Sequence, residues 1–344
     1  MSTLYLILQF VVGLALILKG ADWLTDGASG IARKFNISSM VIGLTIVAFG
    51  TSAPELVVSV ISAINGQTDM AIGNVVGSNI FNTLAIAGIT ALIFPIACSK
   101  NNIRYDVPLC LLASIVLFAL GTTLHSPHGE ALTISRGDGI VLLCFMAIFL
   151  TYTFAIARKP AAEKISTDTS TKKQQQTSSQ KETASEEATK PERSMGLNLL
   201  LFAVGLGCLV FGGNWLVDGA SGIASLLGVS QSVIALTIVA AGTSFPELVT
   251  SVVAARKGDT DMAMGNIVGS NIFNIFFILG TAATVAPLNV GNIGAIDFGT
   301  LLGGAVMLWL FCRFGKRYHY ITRIEGLVLT LCAVAYYTYA VVMA

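Results

Sequence analysis

Thr51, Ser52 and Glu55 fall within the stretch GTSAPEL (50–56), and Thr243, Ser244 and Glu247 repeat them in GTSFPEL (242–248). Each set places two hydroxyls and a carboxylate beside a proline, in the middle of strongly apolar sequence. Glu55 follows Ser52 by three residues and Thr51 by four, so on a helix the three side chains share a face. A carboxylate at membrane depth is costly and by default marks a functional site. A protonated glutamate bonded to a neighbour is the plainer reading for one such residue; two at matched positions, each beside a proline, argue against it. Proline removes one backbone hydrogen bond and clashes with the carbonyl four residues back. Carbonyls loosened in this way inside a bilayer must find protein, water or ions. Those near Ala48–Gly50 and Ala240–Gly242 are therefore further ligands to consider, with Gly50 and Gly242 giving slack at each break.

The next apolar segment of each region carries GNVVGSNIFN (73–82) and GNIVGSNIFN (265–274). Asn74, Ser78 and Asn82 are spaced by four and form one polar stripe on a helix. Gly73, Gly77, Asn79 and Asn271 are read as a small-residue packing face with interhelical hydrogen bonds. Ser78, Asn82, Ser270 and Asn274 can add oxygens to the two glutamates. The whole set contains no cysteine or histidine. All-oxygen ligation suits a hard cation, Ca²⁺, Na⁺ or Mg²⁺, rather than Zn²⁺ or copper. Two carboxylates neutralise one Ca²⁺ or take two or three Na⁺ in its place. Mutually exclusive occupancy of one cage is the physics of exchange.

These residues need elements to hold them in hydrocarbon. Of the 344 residues, 54% are hydrophobic and only 11% charged. Soluble domains carry about 25% charged residues, so composition alone indicates an integral membrane protein whose partner is the lipid bilayer. Nothing in it calls for nucleic acid or an obligate protein partner. Apolar stretches of about 20 residues occur at 3–20, 39–64, 70–96, 105–124, 138–157, 196–215, 231–255, 262–288, 293–313 and 324–343. Pro54 and Pro246 break the second and seventh. The first lacks a basic leader and a small-residue cleavage site, so it reads as a retained span. Residues 159–194, rich in Ser, Thr, Gln, Lys and Glu, cannot bury a core and read as a disordered linker. With that linker in the cytoplasm, Arg33, Lys34, Lys100, Arg104, Arg256, Lys257, Arg313 and Arg323 all face inward. Only Arg136 faces outward. Both termini then lie outside.

Shifted by 192 residues, the chain matches itself. GADWLTDGASGIA (20–32) meets GGNWLVDGASGIA (212–224), and TDMAIGNVVGSNIFN (68–82) meets TDMAMGNIVGSNIFN (260–274). About 46 of 77 positions agree from 20–96 to 212–288, without a gap. Five spans separate equivalent points, so the copies cross the membrane in opposite senses. The charges agree: Arg33 and Lys34 correspond to Ser225 and Leu226, whereas Ile64 and Asn65 correspond to Arg256 and Lys257. The expected fold is an all-α membrane protein with ten transmembrane helices in two inverted five-helix repeats, broken in spans 2 and 7. The halves are 1–158, with its repeat core at 39–96, and 195–344, with its core at 231–288. Inverted repeats with broken helices are typical of secondary transporters, with the site between the copies near the midplane.

At G-T-S-x-P-E and G-S-N-x-x-N, in both copies, the sequence resembles the sodium/calcium exchangers of the cation/calcium exchanger superfamily, in particular their bacterial inner-membrane members. The resemblance covers the ten-span layout. It implies alternating-access exchange of Ca²⁺ for Na⁺, electrogenic, with four ion sites between spans 2, 3, 7 and 8. It implies Glu55 and Glu247 as central Ca²⁺ ligands, with Thr51, Ser52, Ser78, Asn82, Thr243, Ser244, Ser270 and the backbone carbonyls of Ala48 and Ala240. Spans 1 and 6 would slide across the rest. Some potassium-dependent relatives carry Asp where this chain has Asn274, so the cage here holds two negative charges rather than three, as in the potassium-independent branch. The proton-coupled branch usually reads G-N-x-x-E at the first motif. The alternatives are a Ca²⁺/H⁺ antiporter using the same glutamates and, from another class, a passive cation channel. An enzyme is not indicated, because no nucleophile–base set, phosphate loop or cofactor motif occurs.

Other polar residues are expected to be structural. Trp23 and Trp215 begin polar linkers as interfacial anchors, Asp26 and Asp218 lie in solvated turns of those linkers, and Asp69 and Asp261 cap helices. The six cysteines show no paired spacing and read as packing residues. His125, His128 and His319 fall in loops, and Asp106 and Asp297 have no assigned role.

Overall fold

The computed structural model describes residues 3–122, 132–157, 193–228, 240–291, 293–315 and 319–343. The linker up to residue 192, His125, His128 and the first nine residues of the expected seventh span lie outside the described residues. The chain is an integral membrane protein. Eight described helices are long and apolar enough to cross a bilayer, and a bent pair makes nine. In chain order they are α1 (Thr3–Phe35), the bent pair α2 (Ser39–Thr51) and α3 (Ala53–Ile64), α4 (Thr68–Ile93) and α5 (Asn102–Leu120). Then come α6 (Arg136–Ala157) and α7 (Met195–Leu226). The short α8 (Ala240–Gly242) and α9 (Phe245–Arg256) follow. The last are α10 (Thr260–Val285), α11 (Ala295–Phe314) and α12 (Arg323–Met343).

The polar stretches after the first and sixth apolar segments are not linkers. α1 runs unbroken for 33 residues and α7 for 32, roughly 50 Å at 1.5 Å per residue. Trp23, Asp26, Trp215 and Asp218 therefore lie within helices. The reason is packing between small residues. Gly13, Gly20 and Gly27 on α1 and Gly205, Gly212 and Gly219 on α7 recur every seven residues, and a Cβ at Gly20 would stand 2.8 Å from the Gly205 carbonyl. Lipid offers no hydrophobic drive for helix pairing, so close backbone approach carries it. Ala21, Leu24, Ala28 and Ile31 of α1 are buried in a cluster that includes Leu209 and Leu216 of α7.

The motif-bearing helices occupy the centre. The most apolar window of α4 is 78% buried and that of α10 83%, against 39% or less for the other eight-span members. Two short antiparallel strand pairs tie the loops. β1 (Ile96–Ala97) pairs with β4 (Tyr320–Ile321), and β2 (Thr133–Ile134) with β3 (Leu288–Asn289). Gly265 and Gly269 pack against the backbone of Met40 and Leu44, a small-residue face as expected. The mirror neighbours of Gly73 and Gly77, residues 232–236, lie outside the described residues. The described helix that begins at Thr260 is capped by Asp259, whose Oδ1 accepts the Met262 N–H at 3.0 Å, rather than by Asp261. Asp69 likewise sits inside its helix, and Gln67 occupies the cap. Asp297 gains a role: it accepts the Gly294 N–H at 2.7 Å and the Tyr336 hydroxyl at 2.8 Å. All six cysteines are free thiols.

Candidate cation site

The prolines start helices as well as stopping them. α2 and α3 meet at Ser52 with a bend of 48°. Ser52 has φ −84° and ψ 9°, and Ser244 repeats this with φ −91° and ψ 5°. Pro54 and Pro246 then lie in the first turn of α3 and α9, where a missing N–H costs nothing. Glu55 and Glu247 fall in the same first turns. Each carboxylate is thus held at the positive end of a half-helix. The Ala48 carbonyl accepts the Ser52 N–H at 3.0 Å and lies 3.4 Å from the Thr51 hydroxyl. Ala240 opens α8.

The two glutamates are tied across the halves. Ser52 donates to Glu247 Oε1 at 2.8 Å, and Ser244 donates to Glu55 Oε1 at 3.0 Å. Both carboxylates are buried, each about 1% exposed. Their second oxygens, Oε2 in each case, have no hydrogen-bond partner. The same is true of the Ser78, Ser270 and Thr243 hydroxyls and of both amide atoms of Asn82 and Asn274. Buried polar atoms are ordinarily satisfied. Here nine unpaired side-chain atoms, the two carboxylate oxygens among them, come from seven residues picked out by the two motifs. Seven of the nine are oxygens, the donor type that a hard cation takes.

The elements bring these residues together. α3 packs against the segment Phe273–Leu279, which carries Asn274, and α9 against Phe81–Ile86, which carries Asn82. Both segments are π-helical, a local widening frequent at functional sites. Thr51 is engaged differently from Thr243: its hydroxyl lies 3.1 Å from the Val47 carbonyl and 3.3 Å from Asn266 Oδ1. Among the described residues, no three His, Cys, Asp or Glu side chains gather as a metal cluster, so the charge of the site is that of two glutamates.

Two residues of the polar stripes act in another way. Asn74 and Asn266 turn their amides toward the backbone of α3 and α9 instead of joining the unpaired set. Their spacing of four from Ser78 and Ser270 was visible in the sequence. The hydrogen bonds that separate them from the stripe were not, because those depend on a second helix. Gly50 and Gly242 also have a steric reason: a Cβ there would lie 2.9 Å from Leu206 and 2.1 Å from Val217, both on α7. Asn79 and Asn271 make the expected packing bonds, to the Val75 carbonyl and to the Thr83 hydroxyl.

The family model for the sodium/calcium exchanger protein matches residues 5–155 and 197–342. The sodium/calcium exchanger MaX1 of Methanosarcina acetivorans is 32% identical, over 96% of this chain and 96% of its own length. The inner membrane protein YrbG of Escherichia coli is 34% identical, over 88% of this chain and 87% of its own. Among solved structures, the sodium-calcium exchanger NCX_Mj soaked with zero Na⁺ and Ca²⁺ superposes with a TM-score of 0.78 at 29% identity, covering 97% of this chain and 98% of its own. With the motifs, the membrane-spanning helices and these matches in agreement, the chain belongs to the sodium/calcium exchanger family.

Proposed function

We propose that this protein is a secondary antiporter that exchanges Ca²⁺ for Na⁺ by alternating access, and that Glu55 and Glu247 hold the ion between two inverted five-helix halves. One observation carries the reading. Two buried carboxylates each keep an oxygen without a partner, among unpaired hydroxyl and amide atoms of the same two motifs. Such a cage is anionic and buried, and its two charges balance one Ca²⁺. Replacement of that ion by two Na⁺ is electroneutral and by three moves one net charge; the electrogenic reading is the three-Na⁺ case. The ion ligands in this reading are Glu55, Glu247, Thr51, Ser52, Ser78, Asn82, Thr243, Ser244, Ser270 and Asn274, with the Ala48 and Ala240 carbonyls. No bond of the cargo is made or broken, so the protein is a carrier rather than an enzyme.

The ten-span, inverted arrangement is supported by the internal repeat and by parity. If the spans alternate, the loops joined by β1 and β4 lie on one side and those joined by β2 and β3 on the other. The distribution of basic residues supports a cytoplasmic position for the first pair, the linker and Lys257, with both termini outside. The name of the Escherichia coli relative supports an inner membrane.

The test is ⁴⁵Ca²⁺ uptake into proteoliposomes preloaded with Na⁺ or with choline at equal pH. Uptake that requires internal Na⁺ and charges the vesicle is the expected result. Uptake driven by a pH gradient without Na⁺ would replace Na⁺ by H⁺ as the coupling ion. Conductance without any counter-ion would make the protein a channel.

A further inference from the structure

Asn74 and Asn266 stand outside the proposed ligand set, yet both are wired to it. Asn74 Nδ2 donates to the Glu55 carbonyl at 3.2 Å and to the Ser59 hydroxyl at 2.9 Å. Asn266 Nδ2 donates to the Glu247 carbonyl at 3.2 Å and to the Ser251 hydroxyl at 2.9 Å. A side-chain amide nitrogen carries two hydrogens, so each is fully used. Glutamate and serine are one helical turn apart in each case, so a single amide clamps the first turn of the half-helix onto the following span. Ser59, Ser251 and Asn266 are wholly buried, where an unmade bond is most costly.

From the same face of α4, Ser78 and Asn82 project one and two turns farther along. Ser270 and Asn274 do so from α10. Each clamp therefore sets the spacing between a glutamate and the neutral oxygens of the next span. The distances agree between the halves although the residues beside the asparagines differ: Ile72 and Val75 around Asn74 correspond to Met264 and Ile267. Packing varies and the bonds persist.

We propose that Asn74 and Asn266 are positioning residues for cation binding, each holding its carboxylate-bearing half-helix in register with the span that supplies the serine and asparagine ligands. They touch no ion themselves. Ca²⁺ ligands lie at 2.3–2.6 Å, so a small shift of the half-helix withdraws a carboxylate from the ion. The inference rests on the cation-exchange reading of the site.

The test measures melting temperature against Ca²⁺ concentration for the purified full chain and for Asn74→Ala and Asn266→Ala. The midpoint of Ca²⁺ stabilisation should rise about tenfold in Asn74→Ala, as expected for loss of two hydrogen bonds, and at least as much in Asn266→Ala, which also loses the bond from the Thr51 hydroxyl. A merely structural role would lower the ion-free melting temperature and leave that midpoint unmoved, which overturns the proposal. Should either asparagine variant not fold, Ser59→Ala and Ser251→Ala remove one acceptor of each clamp. Their midpoints should rise about threefold, and unmoved midpoints in these variants also overturn it. If the unaltered protein is itself not stabilised by Ca²⁺, the exchange reading fails first and the positioning role falls with it.

Discussion

Ser52 binds Glu247 and Ser244 binds Glu55, so at the centre the two cross-bonds between the halves agree within 0.2 Å. Their ends differ. Lys257, in the turn after α9, reaches Asp26 at 2.9 Å and Asp22 at 3.3 Å on α1, and Arg193 reaches Asp26 at 3.1 Å. Ser29 donates to Asp259 at 3.2 Å in the same place. At the equivalent end of the other half, Asn65 stands for Lys257, Asn214 for Asp22 and Gln67 for Asp259. The Ser221 hydroxyl, counterpart of Ser29, is buried without a partner. In the proposed inverted arrangement a copy can duplicate a cage, because an ion near the midplane would meet both halves alike. It cannot duplicate basic residues, because they belong on one side of the membrane. The consequence is mechanical: α1 is latched by ion pairs to the turn between α9 and α10, whereas among the described residues no ion pair joins α7 to the turn between α3 and α4.

The largest effect should come from the shared centre. Glu55→Gln and Glu247→Gln should each reduce the initial rate of ⁴⁵Ca²⁺ uptake by about 100-fold or more, since each removes a charge facing a desolvated ion. Strong uptake by one of them alone would break the symmetry of the site. A smaller effect separates the two breaks. Gly242→Ala places a Cβ 2.1 Å from Val217, whereas Gly50→Ala places one 2.9 Å from Leu206. Overpacking costs about 1–3 kcal/mol, so Gly242→Ala should show the lower melting temperature, and Val217→Ala in the same chain should restore it. Equal losses, or no rescue, would mean that α7 does not press more closely on the second break. The smallest effect lies at the latched end. Half-exposed ion pairs contribute about 1 kcal/mol or less, so Lys257→Gln should change the ratio of Ca²⁺ KM values measured from the two sides by no more than about fivefold. Raised ionic strength should mimic it, and Asn65→Gln should leave the ratio alone.

The candidate site was largely legible because its signals are local. A proline, a glutamate and two hydroxyls within six residues carry their own argument, and repetition at 192 residues doubles it. The helix ends were less legible. Residues 20–32 and 212–224 look polar enough to be linkers, yet they continue α1 and α7, because glycines every seven residues let the two backbones meet. That spacing was present to be read, but it signifies packing only when a second helix supplies the matching glycines. The cap at Asp259 in place of Asp261 is a shift of two residues that φ and ψ decide, not residue type. The π-helical stretches that carry Asn82 and Asn274 have no marker in the chain.

The amino-acid order by itself determined the membrane environment, the duplicated motif, the opposed charge of the two copies and the oxygen-rich make-up of the candidate site, since each depends on composition or on spacing along one helix. Only the tertiary structure decided that each serine serves the other half's glutamate, that Asn74 and Asn266 clamp rather than line the site, and that one end of α1 is latched. Those are pairings between segments about 200 residues apart or between neighbouring helices. Their geometry is set by how the helices pack, which no local pattern encodes.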